Sequence, residues 1–144
     1  QKDIVGIACL SGEHGLDQAL ARAEIVVLLM PLTADTTDMI DARRLAGMKR
    51  GVVIINPGRG ALIDDAALLA ALDAGQVGHA TLDVFRTEPL PKDNPYWTHP
   101  RVTVTPHIAA DTRVPSAAKV IAENVRRGEA GEPFLYLVDR ERGY

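Results

Sequence analysis

The run Val52-Val53-Ile54-Ile55 constrains this chain more than any other stretch. Four consecutive β-branched residues predict a short strand buried on both faces, of the kind found inside a parallel sheet. Asn56-Pro57-Gly58 stops it, and Arg59-Gly60 follows at once. In an open α/β sheet, ligands sit outside the carboxyl ends of the strands. A guanidinium placed there offers a planar, permanently charged fork that matches a carboxylate in two hydrogen bonds. Taken alone, an arginine on a turn is an ordinary surface residue. Arg59 gains weight because other strands of this chain end in the same way.

Strand and helix signals alternate along the sequence. Residues 4–10 read as a weak strand or an extended lead-in, and residues 16–23 as a short helix. Residues 25–30 (IVVLLM) predict a second buried strand, closed by Pro31, with Thr33, Thr36 and Thr37 in the loop beyond. Asp41 is placed to cap a helix over 42–48, with Lys49 and Arg50 at its cationic end and Gly51 as its stop. Asp64 caps a second helix over 65–74 that turns Leu68, Leu69 and Leu72 inward and ends at Gly75. A third strand is expected over 79–84 and a fourth, closed by Pro106, over 102–104. Between them, 89–100 is a proline-rich loop too broken for regular structure. The last helix spans 113–127, with Ala117, Val120, Ile121, Asn124 and Val125 on one side and Gly128 past its end.

Strands separated by helices mean βαβ units, a parallel sheet and right-handed crossovers. The residues just after the strands, 31–37, 56–60, 83–88 and 107–112, therefore converge on one edge. Together they bring hydroxyls, an arginine, carboxylates and one histidine. His107 follows Thr105-Pro106 at the mouth of the sheet, whereas His14 and His99 fall in loops and read as solvated, and His79 opens a strand. A histidine stabilised as imidazolium by a carboxylate is a competent proton donor to a carbonyl. Glu88 on the neighbouring loop is the natural partner. Asp83 sits among apolar residues, where a carboxylate is costly without a hydrogen-bond partner. It either accepts from backbone amides or holds a ligand amide.

Other chemistries find no support in the sequence. Ser11 and Ser116 lie in no G-x-S-x-G elbow, Cys9 is the single cysteine, and no metal-ligand spacing, Walker A loop or G-x-G-x-x-G is present. The net charge of −3 gives no basic footprint, so nucleic acid is not expected as a partner. The longest apolar run is too short to span a bilayer, so no membrane is expected either. With 144 residues a single domain is the default, and a first residue of glutamine suggests a part of a longer protein.

Three ordered blocks carry a resemblance. Residues 56–60 (NPGRG), 82–89 (LDVFRTEP) and 105–109 (TPHIA) are similar to the signature blocks of the D-isomer-specific 2-hydroxyacid dehydrogenases, with Arg59 twenty-four residues before Asp83 and Glu88 five after it. The loop 30–36 (MPLTADT) resembles that family's cofactor-side segment, and the ending 138–144 (VDRERGY) is most like its glyoxylate/hydroxypyruvate reductase branch.

The resemblance implies the carboxyl-terminal half of a Rossmann-like α/β cofactor domain. It places a partial NAD(P)-binding domain over 1–112 and, over 113–144, a closing helix and tail that return to the substrate domain. It implies a hydride transfer between NAD or NADP and a small 2-oxoacid or 2-hydroxyacid, in a cytoplasmic homodimer. Arg59 would bind the carboxylate and carbonyl of the substrate, His107 would exchange the proton, and Glu88 would hold His107 charged and oriented. Pro31, Thr36, Pro57, Gly58, Arg59, Asp83, His107, Ala109 and Ala110 would meet the cofactor, with Asp83 on the nicotinamide carboxamide. No metal is implied. The dinucleotide fingerprint would precede residue 1, so the chain alone is expected to be inactive. A 3-phosphoglycerate or other D-2-hydroxyacid dehydrogenase, or a non-catalytic truncated nucleotide-binding relative, are the alternatives.

Overall fold

The computed structural model describes residues 4–141; the end of the tail, Arg142-Gly143-Tyr144, lies outside the described residues. In chain order the elements are α1 (Gly12–Arg22), β1 (Ile25–Val27), α2 (Ala42–Gly47), β2 (Val52–Asn56), α3 (Asp65–Asp73), β3 (Val77–Leu82), β4 (Val102–Val104) and α4 (Val114–Glu129). Single 3₁₀ turns at Gly60–Leu62 and Pro95–Trp97 fall between them. The strands form one parallel sheet in the spatial order β1-β2-β3-β4. This is the α/β arrangement expected from the alternation of signals.

One row of side chains crosses the sheet and fixes its register. Val26 lies opposite Ile54, Ile54 opposite Ala80, and Ala80 opposite Val102. Val26, Ile54 and Ala80 are buried in the core with Leu45, Leu68 and Leu72 from α2 and α3. Helix α3 forms because Leu68, Ala71 and Leu72 recur at helical spacing and bury one stripe. The Asp64 carboxylate accepts from the amides of Ala66 (3.0 Å) and Ala67 (3.1 Å) to start it, and Gly75 ends it in the left-handed region at φ +67°. Asp41 caps α2 in the same way, accepting from the Arg44 amide at 2.8 Å. Arg44 itself is buried and pins α2 to α1 through Asp17 (3.0 Å) and Glu13, and also donates to the Met39 carbonyl in the loop before α2 (2.7 Å).

Several expectations need correction. Residues 25–30 do not form a strand buried on both faces. Only Ile25–Val27 is strand, and Val26 and Leu28 point inward while Ile25, Val27 and Leu29 are 60%, 48% and 75% exposed. The strand is the last in its sheet and one face is open to solvent, so burial alternates with the pleat. In β2, likewise, Val52 and Ile54 are buried but Val53 and Ile55 only half so. Residues 4–10 form no strand beyond one isolated bridge between Ile4 and Ile7. The third strand is Val77–Leu82 rather than 79–84, and the proline-rich loop does hold one 3₁₀ turn, capped by Asn94. Lys49 and Arg50 lie beyond the end of α2: Lys49 pairs with Glu24, and Arg50 donates to the Ala74 carbonyl at the end of α3 (3.1 Å).

Helix α4 runs through Gly128 to Glu129, and Gly131 (φ +68°) is the true stop. The Gly131 amide donates to the Gly128 carbonyl (3.3 Å) and the Glu132 amide to that of Arg127 (2.8 Å), the paired closure of a Schellman end. Asn124 then exchanges two hydrogen bonds with the backbone of Leu135, folding the tail back along the helix. No residue of α4 is buried.

Candidate active site

Because all four strands are parallel, the loops after them leave from one edge of the sheet. The loops after β3 and β4 meet directly. Asp83 follows β3, is 4% exposed, and accepts from the Thr105 hydroxyl (2.5 Å) and the amides of Ile108 and Ala109 (both 2.9 Å). Its own carbonyl accepts from the His107 amide at 2.8 Å. A whole loop is thus wrapped on one carboxylate. Burial alone would raise the Asp83 pKa, but these three donors outweigh it and hold the carboxyl below its ordinary value. Of the two roles open to Asp83, the structure shows the backbone-amide one.

The wrap presents His107 in the left-handed region, at φ +54°. That conformation is uncommon for residues other than glycine, although histidine adopts it more readily than most. Nδ1 of His107 lies 2.7 Å from Glu88 Oε2, and Glu88 Oε1 accepts from the Phe85 amide at 2.8 Å. The histidine, then the Phe85 amide, and at longer range the charge of Arg59 hold the Glu88 carboxyl below its ordinary range. The pair borders an apolar cavity of about 490 Å³ lined by Phe85, Leu90, Trp97, Val104 and Pro106.

Arg59 is on the adjacent loop. Asn56, buried at the end of β2, staples that turn: its amide donates to the Arg59 carbonyl (3.0 Å) and its oxygen accepts from the Gly58 amide (3.1 Å). The Arg59 side chain is exposed and Nη1 donates to the Gly58 carbonyl at 2.7 Å. The Arg59 charge reaches Glu88 at longer range, while its guanidinium donates within its own loop. Gly58 and Gly60 are needed for close approach. A Cβ on Gly58 would lie 2.8 Å from the Leu28 carbonyl oxygen, and one on Gly60 would lie 2.0 Å from the Phe85 carbonyl carbon. On the β1 side, Thr36 donates to the Pro31 carbonyl (2.8 Å) and accepts from the Thr33 amide (2.7 Å), beside a second cavity of about 660 Å³. Ala109 and Ala110 are exposed at the edge.

Other histidines lie elsewhere. His99 is not solvated as expected: its side chain is 12% exposed, accepts from the Arg101 amide (3.1 Å) and contacts Asp73 (3.3 Å). His14 is exposed and bonds Gln18, and His79 bonds Thr103 across β3 and β4. Sequence reasoning missed Asn56, Thr105 and Arg86. Asn56 had a signal, since a polar residue directly after four β-branched ones lands at the buried strand end. Arg86 had none, because its partners lie far away in the chain.

Residues 9–109 match the family model described as D-isomer specific 2-hydroxyacid dehydrogenase, NAD binding domain. The glyoxylate/hydroxypyruvate reductase A of Salmonella newport is 41% identical over 144 residues, which is all of this chain and 46% of that protein. A D-isomer specific 2-hydroxyacid dehydrogenase from Xanthobacter autotrophicus Py2, solved with NADPH and MES, superposes at TM-score 0.96 with 48% identity, covering 100% of this chain and 60% of that one. An NADPH-dependent glyoxylate/hydroxypyruvate reductase from Sinorhizobium meliloti, solved with NADP and sulfate, superposes at 0.91 with 36% identity, covering 100% and 47%. The chain spans about half the length of the curated relatives it matches. Family model, curated relatives and solved structures agree, and the chain belongs to the D-isomer specific 2-hydroxyacid dehydrogenase family.

Proposed function

We propose that this chain supplies the cofactor-side residues of an oxidoreductase that moves a hydride between NAD(P)H and a small 2-oxoacid of the glyoxylate or hydroxypyruvate type. The observation that carries the proposal is the 2.7 Å contact of His107 Nδ1 with Glu88 Oε2 at the edge of the parallel sheet. Asp83 tests the fit to a nicotinamide. An ionised carboxylate has about four acceptor sites, and Thr105, Ile108 and Ala109 occupy three here. One remains for an amide N–H of the cofactor, and the lowered pKa keeps Asp83 an acceptor. Pro31, Thr36, Pro57, Gly58, Arg59, Asp83, His107, Ala109 and Ala110 would hold the nicotinamide side. Bound NAD(P)H supplies the hydride. NADPH and NADP accompany the Xanthobacter and Sinorhizobium neighbours, which favours NADP(H) as the cofactor to test first.

The chain's own residues then divide the work. With Nδ1 held by Glu88, His107 gives or takes the substrate proton at Nε2. The Glu88 charge favours the imidazolium and fixes the ring. Arg59 swings from the Gly58 carbonyl to grip the substrate carboxylate in two hydrogen bonds. The unburied apolar face of α4 supports the division into a partial cofactor domain over 1–112 and a closing segment of a substrate domain over 113–144. A homodimer and a cytoplasmic setting belong to the same reading. Among the described residues no helix is long and apolar enough to cross a membrane.

The test is steady-state kinetics on a full-length polypeptide containing this chain, with glyoxylate and hydroxypyruvate against NADPH and NADH. Reduction of both oxoacids is expected. Arg59→Lys should raise KM and lower kcat together, because a point charge cannot replace a bidentate fork. Absence of 2-oxoacid reduction would overturn the proposal.

A further inference from the structure

The Phe85–Glu88 turn delivers the carboxylate that holds His107. Inside the turn, the Phe85 amide to Glu88 Oε1 bond gives only local closure. Arg86 ties the turn to the body of the domain. Its Nη2 donates to the Ile63 carbonyl (2.8 Å) and to the Asp38 carboxylate, and its Nε lies 3.7 Å from Asp65 Oδ2. These acceptors come from the loop after β1, the loop after β2 and the first residue of α3. Two of them are themselves anchored. The Asp38 amide donates to the Ala61 carbonyl (2.9 Å), and Asp65 Oδ1 accepts from the Tyr96 hydroxyl (3.0 Å). The Tyr96 ring is buried and stands 6.5 Å, centroid to centroid, from Phe85 in the turn.

An exposed ion pair of an arginine with one carboxylate contributes little to anything. Arg86 differs, because a rigid fork that reaches a main-chain carbonyl and two carboxylates on separate segments fixes a direction as well as a charge. Behind it, Gly60 leaves no space for a Cβ against the Phe85 and Arg86 backbone, so the Arg59 loop packs directly on this turn.

We propose that Arg86 is a positioning residue, which by bridging Asp38, Ile63 and Asp65 sets the Phe85–Glu88 turn so that Glu88 meets His107. Its consequence for turnover rests on the proton-transfer role proposed above for that pair.

Two readouts separate the inferences. The Glu88 carboxyl can be titrated by carbon NMR and kcat measured, both in the full-length polypeptide. Arg86→Gln should move the Glu88 titration up toward the ordinary glutamate value and lower kcat by about 10- to 100-fold, the effect of a displaced catalytic group, with cofactor Kd unchanged. Asp38→Asn should do the same in smaller measure, since asparagine tolerates the positive φ of 52° at that position. Arg86→Lys keeps the charge but should not restore either readout. In a Glu88→Gln background, Arg86→Gln should add no further loss of kcat, because the two act through one contact. An unmoved Glu88 titration in Arg86→Gln, full rescue by lysine, or additive losses would each overturn the positioning role. A moved titration with unchanged kcat would uphold it and count against the proton-transfer role of the pair.

Discussion

Residues 83–110 and helix α4 use their polar and apolar groups in opposite ways. In the first stretch, Asp83, Glu88 and His107 are bonded to one another's loops, and the apolar residues Val84 and Tyr96 are buried beside them. In the second, Glu123 is pulled down to about 2 by the Arg126 and Arg127 guanidinia on the helix's own surface, while Ile121 and Val125 remain 63% and 57% exposed. One region holds its polar groups in place with other residues of this chain. The other is an amphipathic helix whose apolar face is not covered by the described residues. The corner proposed to be catalytic is thus held together within this chain, and the role of α4 depends on what covers its apolar face.

The comparison can be broken most easily at Asp83. Asp83→Ala removes the acceptor of three donors and should destabilise the chain by about 3 kcal/mol, at a net worth of about 1 kcal/mol for each hydrogen bond lost. Chemical denaturation would measure it, and a loss below about 0.5 kcal/mol, the scale of ordinary surface changes, would show that the loop is held by something else. Gly60→Ala comes next, at about 2 kcal/mol from overpacking, because its Cβ would meet the Phe85 backbone at 2.0 Å.

Acid should loosen the same corner. Glu88 and Asp83 both have carboxyls held below their ordinary values of 4.5 and 3.8 in the folded chain. Their contribution is therefore fully present above those values and is lost as pH falls through the lowered ones. Trp97 lines the Glu88–His107 cavity. Its fluorescence should change in that acid window. An acid transition of the same size in Glu88→Gln and Asp83→Asn would contradict the assignment. The smallest effect is expected in α4: Ile121→Ser should alter the stability of this chain by no more than about 0.5 kcal/mol. A larger loss would mean that the helix is packed after all.

How much of this was legible beforehand differs by element. The β-branched run of β2, the Asp41 and Asp64 caps and the leucine stripe of α3 carried their structure in local pattern, and they stand nearly where the sequence placed them. The same pattern misled at β1, because a run of apolar residues does not say whether a second layer covers the sheet. Glu88 and His107 were legible as a pair through their placement after adjacent strands. The Asp83 wrap was only half legible, since a lone buried carboxylate names a need for donors without naming them. Arg86 was illegible, because its acceptors at Asp38, Ile63 and Asp65 are joined to it by the fold alone.

The central claim is that His107, held by Glu88, is the group that exchanges the substrate proton. The most direct measurement is kcat for His107→Gln beside the cofactor Kd, both in the full-length polypeptide. The account predicts a kcat lower by roughly 10²–10⁴-fold, the usual weight of a general acid, with cofactor binding largely intact. A kcat near that of the unmodified protein would contradict it.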